Sequence, residues 1–219
     1  MKARSKQIPL FVFFPLLFLF SSCLGVNADI VLNQNGSGTI ALEYKISKSL
    51  DSLGKLDGNE RWNTVPVGKA DFERTMDRLP EMKLLSFSSK EDNSNLVITA
   101  KMEFSSIRGL LAFLDAGGRQ SVFSGDASSG SLVLSLNGGL KNSNPSLDKL
   151  IADISKSYSV GMSMSFPGEG SLNITDNQGR AYRTMPGGEI QGQGKKVSCS
   201  IPLNEVLTSS DGIKLELRW

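Results

Sequence analysis

Cys23 and Cys199 are the only thiols in this chain of 219 residues, and no histidine accompanies them. That absence removes the usual general base of serine and cysteine hydrolases and the commonest zinc ligand. Cys199 falls on the apolar side of the alternating run "KKVSCSIPL", with Val197, Ile201 and Leu203, where a thiol serves as a small buried hydrophobe. A lysine-activated serine needs both groups on one helical face, but "SFSSK" reads as strand, in which residues three apart point to opposite faces. "GGEIQGQGKK" at 187–196 has Glu189 where a phosphate loop needs glycine and Lys196 where it needs Ser or Thr. No helical pattern follows it to supply an anion-binding N-terminus, so a flexible loop is expected there. "LDGNE" at 56–60 and "TDNQG" at 175–179 carry oxygen ligands but lack the spaced acids and closing Glu of a calcium loop, and both read as turns. The expectation is a non-catalytic protein with no metal and no cofactor.

Cys23 has a different chemistry available to it. Lys2, Arg4 and Lys6 precede a stretch from Pro9 to Phe20 without a charged residue, the basic and apolar regions of a secretory signal. The stretch is too short for the roughly 20 residues of a membrane-spanning helix, and Pro9 and Pro15 interrupt helical hydrogen bonding. Phe20-Ser21-Ser22-Cys23 resembles a bacterial lipobox, in which a peptidase cuts before a cysteine already joined to diacylglycerol. The usual motif has Leu three places before the cysteine and Gly or Ala just before it; Phe20 and Ser22 give the looser form that resembles spirochaetal lipoproteins. Lipidation of Cys23 is the leading reading, with ordinary cleaved secretion and an uncleaved anchor as the alternatives. The partner is then a membrane, held through N-terminal acyl chains at about 0.8 kcal/mol per buried CH2. Leu24 follows the cysteine, not the Asp that resembles an inner-membrane retention signal in enterobacteria, so the outer membrane of the cell envelope is favoured.

Removing the signal takes three basic residues from the chain's 24, leaving 21 against 22 acidic ones, a net charge near minus one. No basic patch interleaved with aromatics stands out, which argues against nucleic acid as a partner. With Cys23 lipidated, Cys199 has no intramolecular disulfide partner. The expected organisation is a signal peptide at 1–22, a lipidated cysteine and short tether at 23–28, and one domain over 29–219.

The elements that would position any site follow from periodicity. "DIVL" and "TIALEYKIS" flank the turn-forming "NGSG" and predict a first hairpin. Residues 48–69 are polar, with Gly54, Gly58, Pro66 and Gly68, and read as a long excursion of the kind that is often functional. Three units of one plan then follow, each a helix and a hairpin, with helices predicted at 70–80, 105–115 and 145–156. The third hairpin is expected from "SVGMSMSFP" and "SLNITD". Strands close the chain: "KKVSCSIPL", then "GIKLELRW" with Ile213, Leu215, Leu217 and Trp219 on one face. A final "KLELRW" resembles the closing strand of an outer-membrane barrel, but the predicted helices and the polar excursion count against a barrel. The fold class is α+β: a largely antiparallel sheet of hairpins with about three helices packed on one side.

One helix is more apolar than a surface position requires, since Leu110, Leu111, Ala112, Phe113 and Leu114 are consecutive. It reads either as a helix wedged between the sheet and another element, or as one wall of a lipid-sized cavity. In the second case Leu110, Leu111, Phe113 and Leu114 would face Met162, Met164 and Phe166, whose soft side chains suit an adaptable apolar pocket and equally suit a core.

The order of lipobox, short tether, early "GSGTIALEYKIS", helix-and-hairpin units and closing "IPLNEVLTSSDGIKLELRW" resembles the LppM-type domain of bacterial lipoproteins over roughly residues 28 to 219. That resemblance implies a mixed sheet with helices enclosing an apolar cavity, and an association with lipids or glycolipids. Members often carry a transmembrane helix after the domain, whereas this sequence stops at Trp219, so anchoring would rest on Cys23. Two functions are expected on these grounds. One is an envelope lipoprotein binding a lipid or other apolar ligand; the alternative is a structural or interaction lipoprotein docking another envelope protein through 48–69 or a sheet edge.

Overall fold

A computed structural model describes residues 24–48, 68–115, 120–136, 149, 152–153, 155–182, 188–209 and 212–219. Cys23 and the signal, nearly all of the 48–69 excursion and most of the helix expected at 145–156 lie outside the described residues. Within that last span, residues 149, 152, 153 and 155 are helical.

The chain begins with β1 (Leu24–Leu32) and β2 (Gly38–Ser47), whose alternating residues Ile30, Leu32, Ile40, Leu42, Tyr44 and Ile46 are buried. Their turn is closed by Asn35, whose Oδ1 accepts from the Ser37 backbone N–H at 3.1 Å, with Gly36 supplying φ 82°. Helix α1 (Lys69–Met76) leads to the hairpin β3 (Met82–Glu91) and β4 (Asn95–Phe104). Helix α2 (Ile107–Leu114) leads to the hairpin β5 (Ser121–Gly125) and β6 (Gly130–Leu136). Then come β7 (Ser159–Asp176), β8 (Glu189–Gln191), β9 (Gln193–Pro202), α3 (Leu203–Thr208) and β10 (Ile213–Arg218). The hairpin turns at Asp92 and Asp126 share one device. Each carboxylate accepts from the backbone N–H groups two and three residues on; these bonds hold the Asp92 carboxyl below the ordinary range, and the Ser128 hydroxyl, followed by the same kind of backbone bonds, does so at Asp126.

Ten strands form one sheet in the order β3-β4-β2-β1-β7-β10-β6-β5, with β9 on the other side of β7 and β8 beyond it. Every pairing among the described residues is antiparallel except β1 with β7. Helices α1, α2 and α3 bury apolar residues in the same core as the strands, as expected for the α+β class.

Strand β7 departs from expectation. "SVGMSMSFP" and "SLNITD" are not a hairpin but a single strand of 18 residues. Pro167 and the flanking glycines mark a bend, where the register against β9 shifts between Ser165 and Gly170. Both halves stay extended because each has a ladder: Val160–Ser165 lie beside β1, and Ser171–Asp176 lie beside β10. The Phe166 ring folds over Gly170, where a methyl carbon would lie only 2.2 Å from Phe166 Cδ2, so glycine is what lets the corner close. The two halves diverge at this corner into two wings, β3-β4-β2-β1 and β10-β6-β5. Helix α3 connects their other ends, since Leu203 N–H bonds Tyr158 O at 2.8 Å while Glu205 accepts a hydrogen bond from the hydroxyl of Tyr182, next to β7's second half.

Two further expectations are corrected. Residues 24–28 are not a tether: Leu24 pairs with Ile46, and the ladder runs unbroken from there, because Val26 and Ala28 continue the inward alternation of Ile30 and Leu32. The "GGEIQGQGKK" segment is not a loop throughout, since Glu189–Gln191 pair with Ser198–Ser200 at the sheet's edge.

Candidate functional site

Helix α2 starts at Ser106, whose Oγ accepts from Gly109 N–H at 3.1 Å and donates to Glu81 Oε2 at 2.7 Å. Its far end is tied to the other wing: Asp115 Oδ2 accepts from the Gln120 and Ser121 backbone at 2.8 and 2.7 Å. The helix packs on β3 and β4. At its start, the β1–β2 turn lies between the two wings, for a methyl carbon at Gly36 would be 3.9 Å from Ile107 Cγ1 and 3.3 Å from Ala127 Cβ. α2 is therefore held between the wings.

Of the residues proposed to line a cavity, Leu110, Phe113 and Leu114 are buried, and Leu111 is half-buried and packed against them. Met162, Met164 and Phe166 are buried on the inward face of β7's first half. All seven belong to one continuous apolar interior between the wings. Phe166 stacks on Trp219 at 5.5 Å between ring centroids, and Trp219 stacks on Phe123 at 6.0 Å. This aromatic stack fills the corner end of the interior. Trp219 Nε1 donates to Ala127 O at 3.2 Å, so its polar edge is satisfied by the β5–β6 turn.

A groove opens elsewhere. It lies between α1 and β3, with a volume of about 390 Å³, in the range of small-molecule sites. Met76, Met82, Leu84, Leu85 and Phe87 supply its apolar lining. Lys69, Glu73, Asp77 and Lys83 supply the charged part, with Lys69 Nζ 3.1 Å from Glu73 Oε1. Its cause is a bulge: the β3 ladder skips from Leu84 to Ser86, leaving Leu85 without a partner and 46% exposed. Beneath α1, Phe72 packs on Phe87 at 5.5 Å and Tyr44 at 6.4 Å. Burial, then the nearby Asp71 carboxylate, push the Tyr44 hydroxyl far above its usual pKa, so it stays neutral. The two adjacent leucines of "KLLSF", which break a period-two pattern, were the signal for this groove in the sequence.

Reactive groups are few. Burial pushes the Cys199 thiol up to about 11, which leaves it protonated at neutral pH and a poor nucleophile. Ser163 Oγ and Lys196 Nζ both donate to Asp29 Oδ1, the lysine at 3.2 Å, an arrangement that satisfies a carboxylate on the sheet's outer face. The 175–179 segment passes from the end of β7 into a turn, in which Asp176 accepts from the Gln178 and Arg180 backbone at 2.8 and 2.9 Å. Among the described residues no three of His, Cys, Asp and Glu gather as metal ligands, and no helix is long and apolar enough to cross a membrane.

No family model and no curated protein sequence matches the chain. Among solved structures it is similar to the folded domain of the Mycobacterium tuberculosis LppM protein, determined by NMR, at a TM-score of 0.45 and 12% identity, over 99% of this chain and 96% of that one.

Proposed function

We propose that the protein is a non-catalytic lipoprotein of the cell envelope, anchored by acyl chains on Cys23, whose α+β domain takes up the apolar part of a lipid-class ligand. The observation that carries ligand uptake is the α1–β3 groove. Its apolar lining of methionine, leucine and phenylalanine adapts to a flexible chain, while Lys69, Lys83, Glu73 and Asp77 offer contacts for a polar head. Anchoring is supported by Lys2, Arg4 and Lys6, the apolar stretch and the Phe20–Cys23 motif. The neutral Cys199 thiol and the Asp29 carboxylate, whose Oδ1 is held by Ser163 and Lys196, support a role without catalysis.

Native mass spectrometry with solvent extraction tests ligand uptake on residues 24–219 produced in lipid-rich medium. A stoichiometric lipid is expected, lost in Leu85→Trp, which fills the groove, and kept in Ala112→Trp on α2. Loss in Ala112→Trp alone would move the ligand to the interior around Met162, Met164 and Phe166. A clean apo mass that stays unchanged after lipid is added would sink uptake altogether.

A second reading, an interaction lipoprotein that docks an envelope protein, is favoured by the position of β3 at the end of the sheet with Leu85 exposed. If it holds, deleting part of 48–69 or altering the β3 edge abolishes partner capture and leaves lipid behaviour unchanged.

A further inference from the structure

We infer that the domain stands on the membrane in one fixed orientation, with the strand end formed by Leu24, Ser47–Lys48, Glu91–Asn95, Tyr158 and Pro202 resting on the lipid headgroups. This rests on the lipoprotein reading above and adds to it the face that meets the lipid.

The reason is the length of chain between anchor and fold, which is a single peptide bond. Cys23 is followed directly by Leu24, and Leu24 is already paired with Ile46. Consecutive Cα atoms are about 3.8 Å apart, so acyl chains on Cys23 hold the first rung of the sheet at headgroup level. A tether reaching to residue 28 would have added slack of roughly 3.3 Å per residue, enough for the domain to tumble.

Three features turn this short link into an orientation. First, β1 is internal: β2, β4 and β3 lie on one side of it, and β7, β9 and β8 on the other. Pulling on its end seats a whole row of strands instead of tipping the domain onto one edge. Second, the strand ends form one row, since Leu24↔Ile46, Ser47↔Asn95, Val26↔Val160 and Ser159↔Pro202 are register partners within a rung or two of each other. Third, the link is clamped. The Tyr158 ring lies over Gly25, where a methyl carbon would be 3.3 Å from Cδ1, and Tyr158 Oη donates across the row to Asn95 Oδ1 at 2.9 Å.

The described residues of this face suit headgroups more than acyl chains. Lys90, Glu91, Asp92, Asn93, Ser94, Lys156 and Ser157 are exposed there, and the Lys48–Glu91 pair is 3.0 Å apart. The occupant is therefore the surface of a bilayer, touched but not penetrated. The β1–β2 turn at 33–37 lies at the other end of β1, about 26 Å further out at 3.3 Å per residue if the strand stands upright. Leu84, which is linked through Met102 and Ile40 to Ile30 on β1, places the α1–β3 groove about 20 Å above the headgroups, opening sideways.

The test uses the full-length, processed lipoprotein in phosphatidylcholine–phosphatidylglycerol vesicles containing a nitroxide headgroup lipid. A fluorophore is attached through Asn93→Cys at the near end or Gln34→Cys at the far end, both exposed positions; the buried Cys199 thiol is left unlabelled. Quenching is expected to be several-fold stronger at Asn93 than at Gln34. A ten-residue Gly-Ser insert between Cys23 and Leu24 should erase that difference while the protein stays vesicle-bound. Equal quenching at the two sites without the insert, or stronger quenching at Gln34, overturns the orientation in a sample whose intact mass shows residues 1–22 removed and acyl groups present. An intact mass without acyl groups overturns the anchor, and the orientation with it.

Discussion

Helices α1 and α2 are both eight residues long and both precede a β-hairpin, yet they do opposite things. α2 buries Ile107, Gly109, Leu110, Phe113 and Leu114, whereas α1 buries only Phe72 and Met76. The difference is one of neighbours. α2 is held between the two wings and is covered on more than one side. α1 lies along the terminal strand of the sheet, where one face is water, and the bulge at Leu85 keeps the strand from closing against it. A helix that fills the interior carries stability, and a helix at an edge leaves room for a ligand.

The largest expected effect is on the interior side of that comparison. Leu110→Ala removes a fully buried side chain and is expected to cost about 2–5 kcal/mol in urea unfolding. A cost near zero would break the wedged-helix account. Cys199 probes the same interior from β9. Its thiol is pushed from 9.0 to about 11 by burial, so the folded state keeps a proton that the unfolded chain releases. Stability should be unaffected by this group below about pH 9 and fall as pH rises from 9 towards 11, by about 1.4 kcal/mol per pH unit. Comparing wild type with Cys199→Ala by denaturation across that range isolates the slope, and an identical slope in both would remove the buried-thiol assignment.

At the start of α2, Ser106→Ala deletes the N-cap bond to Gly109 and the bond to Glu81 and is expected to cost about 1 kcal/mol. The start of α1 has no such side chain at Gly68 and relies on Asp71 Oδ2 accepting the Gly68 N–H at 3.0 Å. The smallest stability change is expected at the groove: Leu85→Ala should stay within about 0.5 kcal/mol of wild type while lowering lipid uptake in native mass spectrometry. A large destabilisation there would mean that α1 and its strand are as tightly integrated as α2.

Much of this was legible in the residues. Alternation in "TIALEYKIS" and "KLELRW" marked strands with one wet face, and Phe72, Met76 and the consecutive apolars from Leu110 marked two helices within a few residues of their ends. These are local signals, because a period of two or of 3.6 is a property of neighbouring residues. The corner in β7 was misread as a hairpin turn for the same reason. Pro167 and its glycines look like a turn locally, and only the separate ladders supplied by β1 and β10 keep both halves in one strand. The groove was missed because it is made by what does not pack against Leu85.

What the sequence determined by itself was the kind of chemistry and the class of fold. A chain without histidine, with Cys199 among alternating apolar residues, offers few reactive side chains, since side-chain chemistry travels with residue type. What only the tertiary structure decided was place. It put the seven interior residues into one core, opened the groove beside α1, and paired Leu24 with Ile46 in the sheet, because pairing partners dozens of residues away decide where a strand starts and whether it bends.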